Sequence, residues 1–443
     1  MSARQTALNV LMACRKDGAW SNGVLKTYVL RDHLDRRDAA LASRLCYGVL
    51  QNRYKLDFYL KQLLTGKLKD LHPAVRDILH LGLYQILEMD KIPESAAVNE
   101  SVTLAKKVCK NQRFAPGLVN GVLRNAVRNC HNLMQPQTFE ERYSHPQMLV
   151  DLLRENVGAE ALEDVLRANN EIPPTTIQVN TNRISPEQLR LQLEAEGVSA
   201  MPHSWMEDCL VLQSTGDLEQ LSAFQKGLFY VQDPASKLSV LCAEMPKERH
   251  LRVLDCCAAP GGKSFAVAIA MGGYGHITSC DIHPHKVNLI ENGASRLGFE
   301  NIQAQLQDAT VFREEWGSSM DVVLVDVPCS GYGIIRKKPD IRYKDPKEME
   351  ELPLLQLQIL SNQSRYVKPG GVLMYSTCTI LRRENEEVIR SFLDKNADFQ
   401  VEPLHLPDRF EENTTGMLTL LPGVYDTDGF FICRLRRRER LCI

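Results

Sequence analysis

The hydrophobic rhythm of the chain changes twice. Up to about residue 140, apolar residues recur at three- and four-residue spacing in "ALNVLMAC", "ALASRLCYGVLQNRYKLDFYLKQLL", "AVRDILHLGLYQILEMD" and "AVNESVTLAKKV". This is the period of amphipathic helices. Pro73, Pro93 and Pro116 punctuate the connections, so the pattern predicts an all-helical bundle. Near Glu171 the texture shifts, and the alternating Ile177 and Val179 read as a strand. "SPEQLRLQLEAEG" then reads as a helix capped by Ser185 and stopped by Gly197, and "CLVLQ" and "GLFYVQD" read as strands. From Arg249 onward, strand-like runs such as "RVLDCC", "HITSCDI", "DVVLVDVPCS" and "GGVLMYSTC" alternate with helix-like ones such as "KSFAVAIAMG" and "HKVNLIENGASRLG". That order predicts an α/β domain with a mostly parallel sheet covered on both faces. The expected organisation is a helical domain over 1–144, a small α+β connector over 145–234 and the α/β domain over 235–443.

No apolar run approaches the roughly 18 residues of a membrane span. The N-terminal stretch lacks a signal peptide's apolar block, so a cytoplasmic protein is expected. Thirteen cysteines without C-x-x-C pairs argue against both a disulfide framework and a zinc site. Charge changes the picture more. Residues 1–150 hold 22 Lys and Arg against 13 Asp and Glu, while the remainder holds 31 against 42. A basic first third on a slightly acidic protein points to an anionic partner for that segment.

Candidate chemistry lies in the turns after the strands. "VLDCCAAPGGKS" is a strand, a Gly/Pro turn and a helix start, and open α/β sheets bind ligands at such strand ends. A phosphate-binding P-loop would need a glycine where Cys257 stands. Asp281 ends the next strand nineteen residues after Gly262, the place where α/β nucleotide folds hold ribose hydroxyls. Asp308, after the third strand, is placed to accept from an adenine amino group. Together these strand ends suggest a pocket for an adenosine-bearing cofactor without a phosphate cradle, a description that S-adenosylmethionine fits.

Cys329 in "DVPCSG" and Cys378 in "YSTCT" follow the next two strands, so both thiols are expected to face one cleft. A thiol beside a methyl donor has a specific use. Cytosine C5 is too weak a nucleophile to attack a sulfonium methyl, but a thiolate added to C6 makes C5 enamine-like. A depressed thiol pKa would help, and Lys263 is a plausible contributor. Asp326 could hydrogen-bond the cytosine edge and favour protonation at N3. Position alone leaves open which cysteine attacks.

"DVPCSG" with "YSTCT", downstream of "LDCCAAPGGKS", resembles the RNA 5-methylcytosine methyltransferases of the Nol1/Nop2/Sun family, over about residues 170–443. "GLFYVQDPAS", "RKKPDIRY" and "DGFF" belong to the same likeness. The helical region in front resembles the antiterminator NusB, a combination typical of the bacterial Sun/Fmu-type branch. The resemblance implies a Rossmann-like methyltransferase sheet behind a NusB-like RNA-binding domain, acting on cytosine in small-subunit ribosomal RNA. It implies Cys378 as the nucleophile, Cys329 as the residue that assists adduct breakdown and release, and Asp326 at the cytosine edge. Cofactor contacts carry over to Cys257, Ala258, Ala259, Pro260, Gly261, Gly262, Lys263, Asp281, Asp308 and Asp326. Two positions depart from the family: Val327 stands where Ala is frequent, and Gln178 where Arg is frequent.

The loop after the Pro-Cys turn carries Arg336, Lys337, Lys338, Arg342 and Lys344, which are expected to meet RNA phosphates near the target base. No metal and no membrane partner is expected. Two rival readings stay open: the same chemistry on transfer RNA, or a NusB-like RNA-binding protein whose catalytic domain is inactive.

Overall fold

A computed structural model of the chain describes all residues except 214, 248, 411–413 and 440–443. Of the basic run "RLRRRER" near the end of the sequence, Arg440 therefore lies outside the described residues. By contact the chain falls into two units, Met1–Asn170 with Ile335–Lys344, and Glu171–Ile334 with Asp345–Ile443.

The first unit is helical, as the periodicity predicts. Its helices are α1 (Ala3–Asp17), α2 (Ser21–Arg31), α3 (Arg36–Leu63), α4 (Pro73–Glu88), α5 (Glu94–Val108), α6 (Ala115–Asn129), α7 (Phe139–Tyr143) and α8 (Gln147–Ala168). Local chemistry sets several of their ends. The Ser2 hydroxyl caps α1 and Gly18 stops it in the left-handed region, Asp35 caps α3, and Pro73 opens α4. Leu8, Leu45, Leu60, Ile78 and Leu123 meet in a common core.

The basic loop belongs partly to this unit, and that corrects one expectation. Arg342 is only 1 % exposed. Its guanidinium donates to the carbonyls of Gln51, Ser144 and Asn169 and to Asn170 Oδ1, at 2.9 to 3.2 Å. A guanidinium committed to four protein oxygens is not presented to phosphate. Around it, the Tyr343 hydroxyl donates to Leu50 O, and the Ser21 hydroxyl donates to Asp340 at 2.5 Å. Lys344 Nζ donates to Gly18 O at 3.0 Å and lies over the Trp20 ring. Arg336 is buried, Lys337 half-buried and Lys338 exposed.

The second unit opens with β1 (Thr175–Val179), α9 (Pro186–Ala195), β2 (Ser199–Pro202), β3 (Cys209–Gln213), α10 (Ser222–Gln225) and β4 (Phe229–Val231). Its strands form an antiparallel sheet of order β2-β3-β1-β4. Ser185 and Gln188 form a reciprocal capping box on α9. Gln178 is buried and donates to Gln232 O at 3.1 Å, so it ties β1 to the segment after β4.

Then come α11 (Pro234–Leu241), β5 (Arg252–Asp255), α12 (Gly262–Ala270), β6 (His276–Asp281), α13 (Pro284–Leu297), β7 (Ile302–Leu306), β8 (Met320–Asp326), α14 (Leu352–Ser364), β9 (Val367–Thr377), α15 (Glu386–Leu393), β10 (Phe399–Val401), β11 (Met417–Leu420) and β12 (Phe430–Arg437). The sheet order is β10-β12-β9-β8-β5-β6-β7, with β11 added on β12. The five strands from β5 to β9 are parallel, and β12 returns antiparallel to β9. Val322 and Leu324 of β8 pack in one core with Phe265 and Ile269 of α12. Val323 and Val325 pack in the other with Ile359 of α14 and Ile389 of α15. Burial on both faces is why this strand reads as an unbroken apolar run.

Candidate active site

The strand order reverses at β5, because β6 and β7 lie on one side of it and β8 and β9 on the other. In doubly wound sheets the crevice at that reversal takes the ligand, and here it holds the Gly/Pro turn. Gly261 has φ +112°, and a Cβ there would come within 2.4 Å of the Phe265 ring. The turn is pinned to the next strand by the Ala258 N–H donating to Cys280 O at 2.8 Å. Beneath it, Asp255 is fully buried and accepts from the Ser264 hydroxyl at 2.7 Å. Burial pushes its carboxyl up to about 6.

Asp281 ends β6. Its Oδ1 accepts from the His283 N–H at 3.0 Å, and its Oδ2 lies 3.6 Å from the Lys286 ammonium. Asp308 follows β7 and accepts from both the N–H and the hydroxyl of Thr310. Both carboxylates thus have local partners, with lone pairs to share, since an ionised carboxylate offers about four acceptor positions.

Asp326 ends β8. Its Oδ2 pairs with Lys263 Nζ at 2.7 Å and its Oδ1 accepts from the Ser376 hydroxyl at 2.8 Å. Lys263 also donates to Ser236 Oγ at 2.9 Å. The lysine expected beside a thiol is therefore ion-paired with the neighbouring carboxylate, which orients Asp326 instead.

The two cysteines meet. Cys329 Sγ and Cys378 Sγ lie 3.1 Å apart at the ends of the adjacent strands β8 and β9. Both are partly exposed. The hydrogen bond with Cys378, followed by burial and the nearby carboxylates, pushes the Cys329 thiol well above its ordinary range. Either sulfur can donate in this contact, so the pair shares one proton position between the two strand ends.

Sequence reading missed the residues that hold these turns. Gln356, Glu384 and Asn385 are all fully buried behind the two cysteines. Ser330 Oγ and Thr379 Oγ1, one residue beyond each thiol, lie 2.9 Å apart. The one local signal was the polar run "RREN" so soon after "STCT".

Among the described residues, no group of His, Cys, Asp and Glu could hold a metal ion, and no helix is long and apolar enough to cross a membrane.

Comparison with known proteins matches three family models in chain order. They are the NusB family over residues 1–128, a ferredoxin-like domain of RsmF/B-like methyltransferases over 145–219, and 16S rRNA methyltransferase RsmB/F over 242–436. A probable ribosomal RNA small subunit methyltransferase B of Bacillus subtilis is 38% identical, over 99% of both chains. The ribosomal RNA small subunit methyltransferase B of Klebsiella pneumoniae is 31% identical, over 93% of each. The crystal structure of PH0851 superimposes with a TM-score of 0.80 at 24% identity, covering 99% of each chain, a likeness of fold. With its Gly/Pro turn, its paired thiols and this end-to-end similarity, the chain belongs to the ribosomal RNA small subunit methyltransferase B family.

Proposed function

We propose that this protein transfers a methyl group from S-adenosylmethionine to C5 of a cytosine in small-subunit ribosomal RNA, through a covalent bond between Cys378 and C6. The observation that carries this reading is the pair of sulfurs 3.1 Å apart beside the reversal point of the sheet. One thiol would serve packing as well as chemistry. Two on adjacent strand ends suit a reaction in which a covalent bond must be made and then broken.

The turn from Cys257 to Lys263, with Asp281, Asp308 and Asp326, is proposed to hold the cofactor. Adenosine offers hydroxyl and amino donors, which the carboxylates at the ends of β6 and β7 fit as acceptors. S-Adenosylmethionine, when bound, supplies an electrophilic methyl group. The target base must leave its stack to reach the cleft. Cys378 adds its sulfur to C6 and pushes electron density to C5, while Asp326 holds the cytosine edge. C5 then takes the methyl group. Loss of the C5 proton and cleavage of the bond to Cys378 return the thiol and free the methylated base, with Cys329 assisting. In this reading the helical unit provides RNA affinity in the cytoplasm, and the exposed Lys338 meets phosphate.

The test is a denaturing gel of Cys329→Ala and Cys378→Ala incubated with small-subunit ribosomal RNA and S-adenosylmethionine. Cys329→Ala is expected to accumulate a slow-migrating protein–RNA adduct, and Cys378→Ala to form none. The reverse pattern would exchange the two roles. Methylation of transfer RNA alone would overturn the substrate, and no binding of S-adenosylmethionine in a calorimeter would overturn the activity.

A further inference from the structure

A fully buried carboxylate stands behind the Cys329 turn without a role in the reaction as proposed. Glu384 is 0 % exposed and closes the short turn Arg382–Glu384 that follows Cys378. Its Oε2 accepts from the Ser330 N–H at 2.9 Å and from Gln356 Nε2 at 2.9 Å. The same Gln356 amide donates to Pro328 O at 3.0 Å. Pro328 and Ser330 flank Cys329, so one carboxylate and one carboxamide hold the peptide groups on both sides of that sulfur.

The next residue does the same for the other cysteine. Asn385 Oδ1 accepts from the Thr377 hydroxyl at 2.7 Å, and Asn385 Nδ2 donates to Thr379 O at 3.1 Å. Thr377 and Thr379 flank Cys378. The Glu384 carbonyl also accepts from the Tyr375 hydroxyl at 2.6 Å, which fixes the turn to β9. A carboxylate buried only to hold a loop is a costly device. Apolar packing would secure the loop without fixing two sulfurs at one separation.

We propose that Glu384 and Asn385 are positioning residues of the methyl-transfer reaction: adjacent in the chain, they fix the flanks of Cys329 and Cys378 and so set the distance between the two sulfurs. The proposal rests on the covalent reading above. Because each residue serves a different cysteine, their losses differ in kind. Without Glu384 the Cys329 turn loosens, so the adduct forms and breaks down slowly. Without Asn385 the Cys378 turn loosens, so the adduct forms slowly.

The experiment measures methylation rates and gel-resolved adduct on small-subunit ribosomal RNA for wild type, Glu384→Ala, Glu384→Gln, Gln356→Ala and Asn385→Ala. Cys329→Ala and Cys378→Ala serve as references. Glu384→Ala is expected to turn over on the order of tenfold more slowly while accumulating adduct, since small displacements of reacting groups carry losses of at least that size. Gln356→Ala, which removes the other half of the grip, is expected to accumulate adduct too. Glu384→Gln keeps an acceptor oxygen for Ser330 and is expected to restore turnover. Asn385→Ala is expected to slow turnover without accumulation.

Wild-type behaviour of Glu384→Ala would overturn the proposal. So would a joint loss of adduct and turnover in both Glu384→Ala and Gln356→Ala, the result of simple misfolding. If Cys329→Ala traps adduct and neither clamp variant does, the positioning role alone fails. If Cys329→Ala traps nothing, the covalent reading fails and takes the positioning role with it.

Discussion

Asp255 and Arg342 are charged side chains whose surroundings could not be read from their neighbours in the chain. Asp255 sits under the cofactor turn, and burial raises its carboxyl to about 6. A raised carboxyl means that the native state binds the proton more tightly than the unfolded chain does. Its contribution to stability therefore falls as pH rises from about 4, the ordinary carboxyl range, to about 6, and is level above that. Asp255→Asn is expected to flatten that slope, as read from urea midpoints at several pH values across the window. An unchanged slope would place the titration elsewhere. The sequence displayed Cys329, Cys378 and Asp326 because each lies at or just after a strand end, where side chains reach a ligand, and Lys263 because it opens the helix after the Gly/Pro turn. It did not display Glu384 or Gln356, whose partners lie 28 and 54 residues away in the chain. A Glu in "RRENEE" reads as the solvated start of a helix, and only the folded chain shows it buried.

At the scale of elements, the turn between β5 and α12 depends on one backbone conformation. Gly261 lies in the left-handed region, which costs other residues energy, and its missing Cβ leaves space for the Phe265 ring. Gly261→Ala is expected to weaken S-adenosylmethionine binding by at least about tenfold, an energy of about 1.4 kcal/mol, as measured by calorimetry. Unchanged affinity would mean that the turn adjusts without disturbing the ligand. The long elements were legible because period and burial agree: α5 and α13 bury residues at three- and four-residue spacing, and β8 is a continuous apolar run. The short strands β2, β10 and β11 were not. Each has few residues, and "SAMP" ends in a proline, which is admitted at an edge strand such as β2.

For the whole molecule, the segment Ile335–Lys344 is the informative piece. Its charge suggested an exposed RNA-facing loop, yet it lies within the helical unit, with Arg342 as its anchor. Positive charge reads as surface because solvation normally keeps it there. Here backbone carbonyls replace the water, an arrangement with no local pattern to betray it. Arg342→Ala removes the donor that four oxygens share, two of them on the buried residues Ser144 and Asn169, so the helical unit is expected to lose about 3 kcal/mol. Thermal unfolding followed by circular dichroism would show the loss, and an unshifted transition would contradict it. The helical unit is therefore written in two places in the gene, once at the front and once just after the codon for Cys329. A single recombination event cannot exchange the front of this protein for that of a relative without pairing the body of one lineage with the anchor of another. A front taken from a relative would therefore have to accept an Arg342 anchor that it did not bring with it.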